Sequence, residues 1–189
     1  MAEPAYSRLD VDERRRQLLE LGTELFTRHA YDELSMAAIA REAGISKALL
    51  YHYFPSKQAF FQATLTEKAQ ELAARTEPDP AKPPLEQLAA SVDAYLDWVQ
   101  ANADGYAKLL RSAGSAPEIR ELVDGVRTAT AQRILEGLGA GADARARTAV
   151  NGWLWFMDGV CLDWIAHRDL ERDTVRALLL TTLAAALAG

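Results

Sequence analysis

Cysteine is all but absent from this chain of 189 residues: Cys161 stands alone, which excludes a disulfide within the chain and leaves its stability to packing. Basic charge is in deficit, with 21 Lys and Arg against 27 Asp and Glu and a net charge of −6, so no general attraction to polyanions is expected. Any contact with nucleic acid must be local. The longest apolar run, Leu178 to Leu187, contains two threonines and falls short of the roughly 20 residues that a bilayer span needs. The first residues lack the apolar stretch of a signal peptide, so a cytoplasmic location and no membrane partner are expected. Glycine (11) and proline (7) are scarce and no period-two alternation persists, which argues against a sheet. What remains is 49% hydrophobic and rich in Ala and Leu, the composition of an all-α protein. Its length suits a small unit fused to a larger helical body.

The most informative stretch runs from Ser35 to Lys57, SMAAIAREAGISKALLYHYFPSK. Ser35 stands where a side-chain oxygen caps a helix, and Met36, Ile39, Ala40 and Ala43 recur behind it at helical spacing. Gly44 can take the left-handed conformation that reverses a chain within about three or four residues. Ser46 then caps a second short helix with Leu50 and Phe54 inward. Small Ala40 at the crossing and apolar Ile45 at the turn complete the pattern of a helix-turn-helix, whose second helix enters a major groove. The first 57 residues hold eight basic residues against nine acidic ones, yet Ser35 to Lys57 holds Arg41, Lys47 and Lys57 against Glu42 alone. Phosphate contacts act within a screening length of about 8 Å, so that local balance matters more than the total. Tight binding by so weak a patch requires two copies.

The segment IAREAGISKALLYHYFPSK resembles the helix-turn-helix signature of the tetracycline-repressor (TetR) family of bacterial regulators, and RRRQLLELGTELFTRHAYDEL before it resembles that family's first helix. The likeness covers roughly Arg14 to Phe61, and the remainder is similar only in length and helical character. It implies about nine helices: a three-helix helix-turn-helix head, then a helical ligand-binding and dimerisation body. It also implies that Lys47, Ala48, Leu49, Tyr51, His52 and Tyr53 face DNA beside the caps Ser35 and Ser46, and that Lys57 binds phosphate. Ala30 and Ala48 stand where many members have glycine, and Ala37 where some carry a basic contact. An alanine forced into a left-handed cap at Ala30 would cost about 1 kcal/mol or more, so the end of the first helix is expected to depart from the family pattern.

In chain order, residues 1–10 read as a disordered arm, in which Arg8 is either a minor-groove contact or part of a frayed end. Residues 11–55 form the head and residues 56–189 the body. A helix from Val11 to about His29 carries Leu18, Leu21, Leu25 and Phe26, while Arg14, Arg15 and Arg16 suit either phosphate or a solvated face shared with Asp12, Glu13 and Glu20. A connecting helix runs from near Ser56 to Arg75 through Phe60, Ala63, Leu65 and Leu72. Thr76 to Pro84 contains four prolines and must be a loop. Five helices follow: Leu85 to Asn102, Gly105 to Ala113, Pro117 to about Leu138, and, after a break at Gly139, Ala140, Gly141 and Ala142, Asp143 to Arg168 and Glu171 to Ala188.

The helix carrying VNGWLWFMDGVCLDWIAH is apolar almost all round, which in a soluble protein means burial on more than one side. Gly152, Trp155, Gly159, Leu162 and Ala166 form one stripe of it, and Ala177, Thr181, Ala184 and Ala188 a like stripe on the last helix. The TetR resemblance implies that these stripes pair with a second copy as a four-helix bundle, whereas by themselves they also suit packing within one chain. Trp98, Tyr95, Tyr106, Trp153, Phe156, Met157 and Trp164 supply more aromatic surface than packing alone requires. A ligand site lined by Trp98, Tyr106, Trp153, Met157, Asp158 and Cys161 is expected, with Asp158 orienting a polar or cationic group; ordinary core and an Asp158–arginine pair are the alternatives. Asp163 and His167 stand four apart and fit a surface pair better than a metal site.

Three classes of function follow. The first is a homodimeric repressor that leaves an inverted-repeat double-stranded DNA operator when a small apolar or aromatic effector binds. The second is a DNA-binding dimer with a filled core, answering to a protein partner or to no effector. The third, an enzyme, lacks support: no nucleophile–base constellation, phosphate loop or metal-ligand spacing is present, and neither cofactor nor metal is expected.

Overall fold

The computed structural model describes residues 11–114, 116–139 and 143–188. Nine α-helices and one short 3-10 turn, and no strand, occur among these described residues: α1 (Val11–Arg28), the turn Tyr31–Glu33, α2 (Met36–Glu42), α3 (Lys47–Tyr53), α4 (Lys57–Arg75), α5 (Pro84–Ala101), α6 (Ala103–Ala113), α7 (Pro117–Gly137), α8 (Ala144–His167) and α9 (Arg172–Ala188). The expected arm with Arg8, and Ala140, Gly141 and Ala142 of the expected break, lie outside the described residues. The chain forms two compact units that divide at Glu67 and Lys68, inside α4. The expected division at residues 55 and 56 assigned α4 wholly to the body. Its first turns instead join the head, because Phe60 packs into the head core.

In the head, α1 presents Leu18, Leu19, Gly22 and Leu25 inward, α2 presents Met36, Ile39 and Ala40, and α3 presents Leu50. Phe54 and Phe60 close the cluster, with ring centroids 4.9 Å apart in an edge-on arrangement. Burying side chains of this size contributes about 1.5–3 kcal/mol each, which is what holds helices too short to persist alone. Gly22 is there because nothing larger fits: a Cβ on it would stand 2.9 Å from Phe60 Cζ and closer still to Thr64 Oγ1. At the end of α1 the left-handed cap weighed for Ala30 does not form. Ala30 is extended (φ −70°, ψ 154°), and its backbone N–H donates to the Glu33 carboxylate at 2.9 Å, so a short turn replaces the strained residue.

The body core is built where α8 and α9 meet α5, α6 and α7, with Leu96, Val99, Val150, Leu154, Cys161, Val175, Leu179 and Leu183 all fully or almost fully buried. Arg168, left-handed at φ 54°, ends α8, and Trp164 Nε1 donates to Leu170 O at 2.9 Å across the corner. Arg172 and Arg176 then tie the start of α9 to Asp93 and Asp97 of α5. No described helix is long and apolar enough to cross a membrane.

Candidate functional site

The helix-turn-helix is set by caps and one turn. Ser35 Oγ accepts from Ala38 N–H at 3.2 Å and Ser46 Oγ from Leu49 N–H at 3.1 Å, so each short helix begins with an otherwise unpaired donor satisfied. Gly44 is left-handed at φ 64°, and Ile45 packs beside the head core. These constraints fix α3 by Leu50, wholly buried, and leave Lys47, Ala48, Leu49, Tyr51 and His52 on its outside. Leu49 and Tyr51 are 39% and 42% exposed. Lys47 Nζ lies 5.7 Å from the centre of the Tyr51 ring, a contact that leaves its ammonium donors for another acceptor. Tyr53 is half-buried against the head core, so it reaches outward less than its neighbours.

Lys57 sits differently from the others. Its ammonium donates to Tyr31 O at 3.0 Å and lies 4.1 Å from the centre of the Tyr31 ring, tying the start of α4 to the turn after α1. An ammonium has three donors, so this tie leaves capacity for a phosphate. Arg16 pairs with Glu13 and Glu20 along the outside of α1, the solvated-face alternative for that arginine. Arg15 instead stands 5.5 Å above the Phe54 ring.

In the body, Asp158 is the centre of a closed network. Its Oδ2 accepts from Arg127 Nε at 2.8 Å and pairs with Arg127 Nη2 at 2.7 Å, while Oδ1 accepts from Tyr106 at 3.0 Å and Tyr95 at 3.2 Å. The two hydroxyls are themselves 2.8 Å apart. Two hydroxyl protons serve the three contacts among Tyr95, Tyr106 and Asp158, so Asp158 holds Arg127 twice and at least one tyrosine, and the pair is close to buried, with Arg127 15% and Asp158 14% exposed at the side chain. Burial, and the neighbouring Asp158 charge, hold the Tyr95 and Tyr106 hydroxyls well above the usual phenol range. Burial first and Asp158 second push the Cys161 thiol up to about 12, so it is a small apolar core group and no nucleophile at neutral pH. Trp153 Nε1 donates to Leu179 O at 2.8 Å, bonding α8 to α9.

The outer side of α8 and α9 is uncovered. Gly152, Trp155, Gly159, Ala166, Ala177, Thr181 and Ala184 are exposed, Trp155 at 61%, and only Leu162 of the expected stripe turns partly into the core. Arg127 lies with its guanidinium carbon 3.7 Å from the centre of the Trp155 ring, so the buried pair also pins the largest exposed ring of this face. His167 and Asp163 form an exposed pair at 3.3 Å, and no metal-binding cluster occurs among the described residues.

Residues 18–64 match the family described as "Bacterial regulatory proteins, tetR family", and residues 84–186 match "Tetracyclin repressor-like, C-terminal domain". The chain belongs to the TetR family. A TetR-family transcriptional regulator from Streptomyces coelicolor has a similar structure, with a TM-score of 0.82 and 33% identity over 95% of this chain and 82% of that one. The HTH-type transcriptional activator FasR of Mycolicibacterium smegmatis is 36% identical over 106 residues, 53% of this chain and 47% of FasR. The HTH-type transcriptional regulator HbdR of an Aromatoleum strain is 34% identical over 109 residues, 56% of this chain and 47% of HbdR. The chain thus spans about half the length of these curated relatives. The family and the relatives are regulators of transcription, not enzymes.

For this TetR-family chain, the structure brings together on one helix most of the residues expected to face DNA. It also gathers Trp98, Tyr106, Trp153, Met157 and Cys161 into one core cluster, with Asp158 joined to it through Tyr106. There Asp158 meets Arg127, Tyr95 and Tyr106 rather than open space. Arg127 carried no signal in the sequence, since one arginine on a polar helix resembles any other and its partner lies on a helix far along the chain.

Proposed function

We propose that this TetR-family chain is a DNA-binding transcriptional regulator that acts as a homodimer on an inverted-repeat operator. The observation that carries the reading is the division of labour on α3: Leu50 and neighbouring Phe54 hold the helix, while Lys47, Leu49, Tyr51 and His52 are left on its outside, away from the head core. Lys47, in the first turn, suits guanine O6 and N7, Leu49 a thymine methyl, and the tyrosine hydroxyls phosphate oxygens. Lys57 is assigned to phosphate. The second copy docks through the uncovered face of α8 and α9, with Gly152 and Gly159 permitting close approach and Trp155 covered. Selection from a random duplex library tests the reading. Enrichment of an inverted repeat with half-site centres about one helical turn apart, or a multiple of that, is expected, and no enrichment would overturn it.

A small, largely apolar or aromatic effector bound among Trp98, Tyr106, Trp153, Met157, Asp158 and Cys161 releases the operator, acting through α4, which contributes residues to both units. The relatives include an activator and a repressor, and repression is the form proposed here. A dimer with a filled core and no effector is the second reading, favoured by the Arg127-paired Asp158 carboxylate and the backbone-bonded Trp153. Titration of tryptophan fluorescence with lipophilic and aromatic compounds separates the two, because only a ligand-binding body responds.

A further inference from the structure

Among the described residues, one buried side-chain nitrogen or oxygen has no hydrogen-bond partner: Trp98 Nε1. The other buried indoles of the body are satisfied, Trp153 by Leu179 O and Trp164 by Leu170 O. Trp98 is 8% exposed and stands edge-on to Tyr106, with ring centroids 6.4 Å apart. A buried donor without an acceptor has given up its bond to water and received nothing in exchange, and an acceptor brought to it restores that loss.

The polar groups next to Trp98 decide which acceptor. Tyr106, its ring neighbour, is engaged with Asp158 and Tyr95, and Asp158 is held by both Arg127 nitrogens and by the tyrosine pair. A cationic ligand would have to displace Arg127 from Asp158. An anionic one would meet the Asp158 carboxylate, and Arg127, the cation beside it, is already shared between Asp158 and the half-exposed Asp124. What the cluster lacks is a neutral oxygen.

Resting on the ligand-binding reading above, we propose that the effector of this body is an uncharged apolar or aromatic molecule whose carbonyl-type oxygen accepts from Trp98 Nε1, and that ammonium and carboxylate ligands are rejected. The proposal departs from the expectation that Asp158 orients a polar or cationic group.

Four single-ring probes of similar size separate the possibilities: acetophenone, ethylbenzene, benzylammonium and benzoate. In nitrogen-15-labelled full-length protein, acetophenone should move the Trp98 indole proton downfield and leave those of Trp153 and Trp164 nearly unmoved. That signal is assigned by through-bond correlation, so this readout needs no variant. Acetophenone should also bind about five-fold more tightly than ethylbenzene, the worth of one hydrogen bond, and Trp98→Phe should abolish the difference. The proposal is overturned, with ligand binding intact, if a charged probe binds most tightly, if acetophenone gains nothing over ethylbenzene, or if its advantage survives in Trp98→Phe. Failure of all four to bind would overturn the ligand-binding reading as well.

Discussion

Replacing Gly22 by alanine should destabilise the head, although the same change in the middle of a helix ordinarily stabilises by about 1 kcal/mol. A Cβ at this position would stand 2.9 Å from Phe60 Cζ, 3.1 Å from Thr64 Cγ2 and closer still to Thr64 Oγ1, whereas carbon atoms at their optimum are about 3.5–4.0 Å apart. Neither neighbour can yield easily. Phe60 is wholly buried against Phe54 and Phe26, and Thr64 is buried with its hydroxyl donating to Phe60 O at 3.0 Å. The helices α1 and α4 must therefore separate. Overpacking of this kind costs about 1–3 kcal/mol, which set against the gain in helix propensity leaves a net loss near 1 kcal/mol.

All four tryptophans lie beyond Glu67, so their fluorescence reports on the body and not on this crossing. Hydrogen exchange of the α1 amides is the suitable assay, and a loss of about 1 kcal/mol should speed it about five-fold. Thr64→Ala removes two of the three close atoms, so Gly22→Ala should cost less in that background, with a coupling of about 1 kcal/mol. Exchange as slow in Gly22→Ala as in the wild type, or two additive substitutions, would refute the reasoning.

Lys47→Ala should relax base preference at one position of each half-site and cost about 1–3 kcal/mol, measured by competition among operator variants; an unchanged preference would remove Lys47 as a base reader. Lys57→Ala should weaken binding on all sequences alike and lower the salt slope, and because Lys57 also ties to Tyr31 O it should loosen the start of α4 to hydrogen exchange. A Cβ at Gly159 meets nothing within 4 Å in a single chain, so Gly159→Arg should leave the monomer folded, yet it should abolish the dimer and operator binding in sedimentation and gel-shift assays. A wild type that sediments as a monomer at micromolar concentration would refute the interface. Cys161 should resist thiol reagents at pH 8 until the protein unfolds. Its thiol ionises near 9.0 when free and at about 12 when folded, so its contribution is complete below pH 9 and stability should fall as pH rises from there toward 12. Rapid labelling of the native protein would contradict its burial.

Local chemistry made the head legible from the amino acids alone. Ser35, Ser46 and Gly44 each act within three or four residues of themselves, by capping a helix or reversing the chain, and so announce the helix-turn-helix without knowledge of the rest. Several bounds of the body helices are local in the same way, since Pro117 and Asp143 start two of them and Gly114 and Gly139 end two, whereas Pro84, expected as the end of the loop, is the first residue of α5. The exposed faces of α3 and of α8 and α9 follow from helical periodicity.

Tertiary packing decided what periodicity cannot express. Nothing in the residues beside Gly22 sets it apart, and only its crossing with Phe60 and Thr64 on α4 makes it obligatory. Ala30 avoided a strained cap because Glu33, three residues on, offered its N–H a carboxylate in an extended conformation. The largest difference lies at Asp158: its sequence context announces a buried charge and leaves the partner unnamed. Arg127 is 31 residues away and Tyr95 is 63, and a bond between distant residues is set by the fold, which alone determines that Asp158 is paired and Trp98 Nε1 is not.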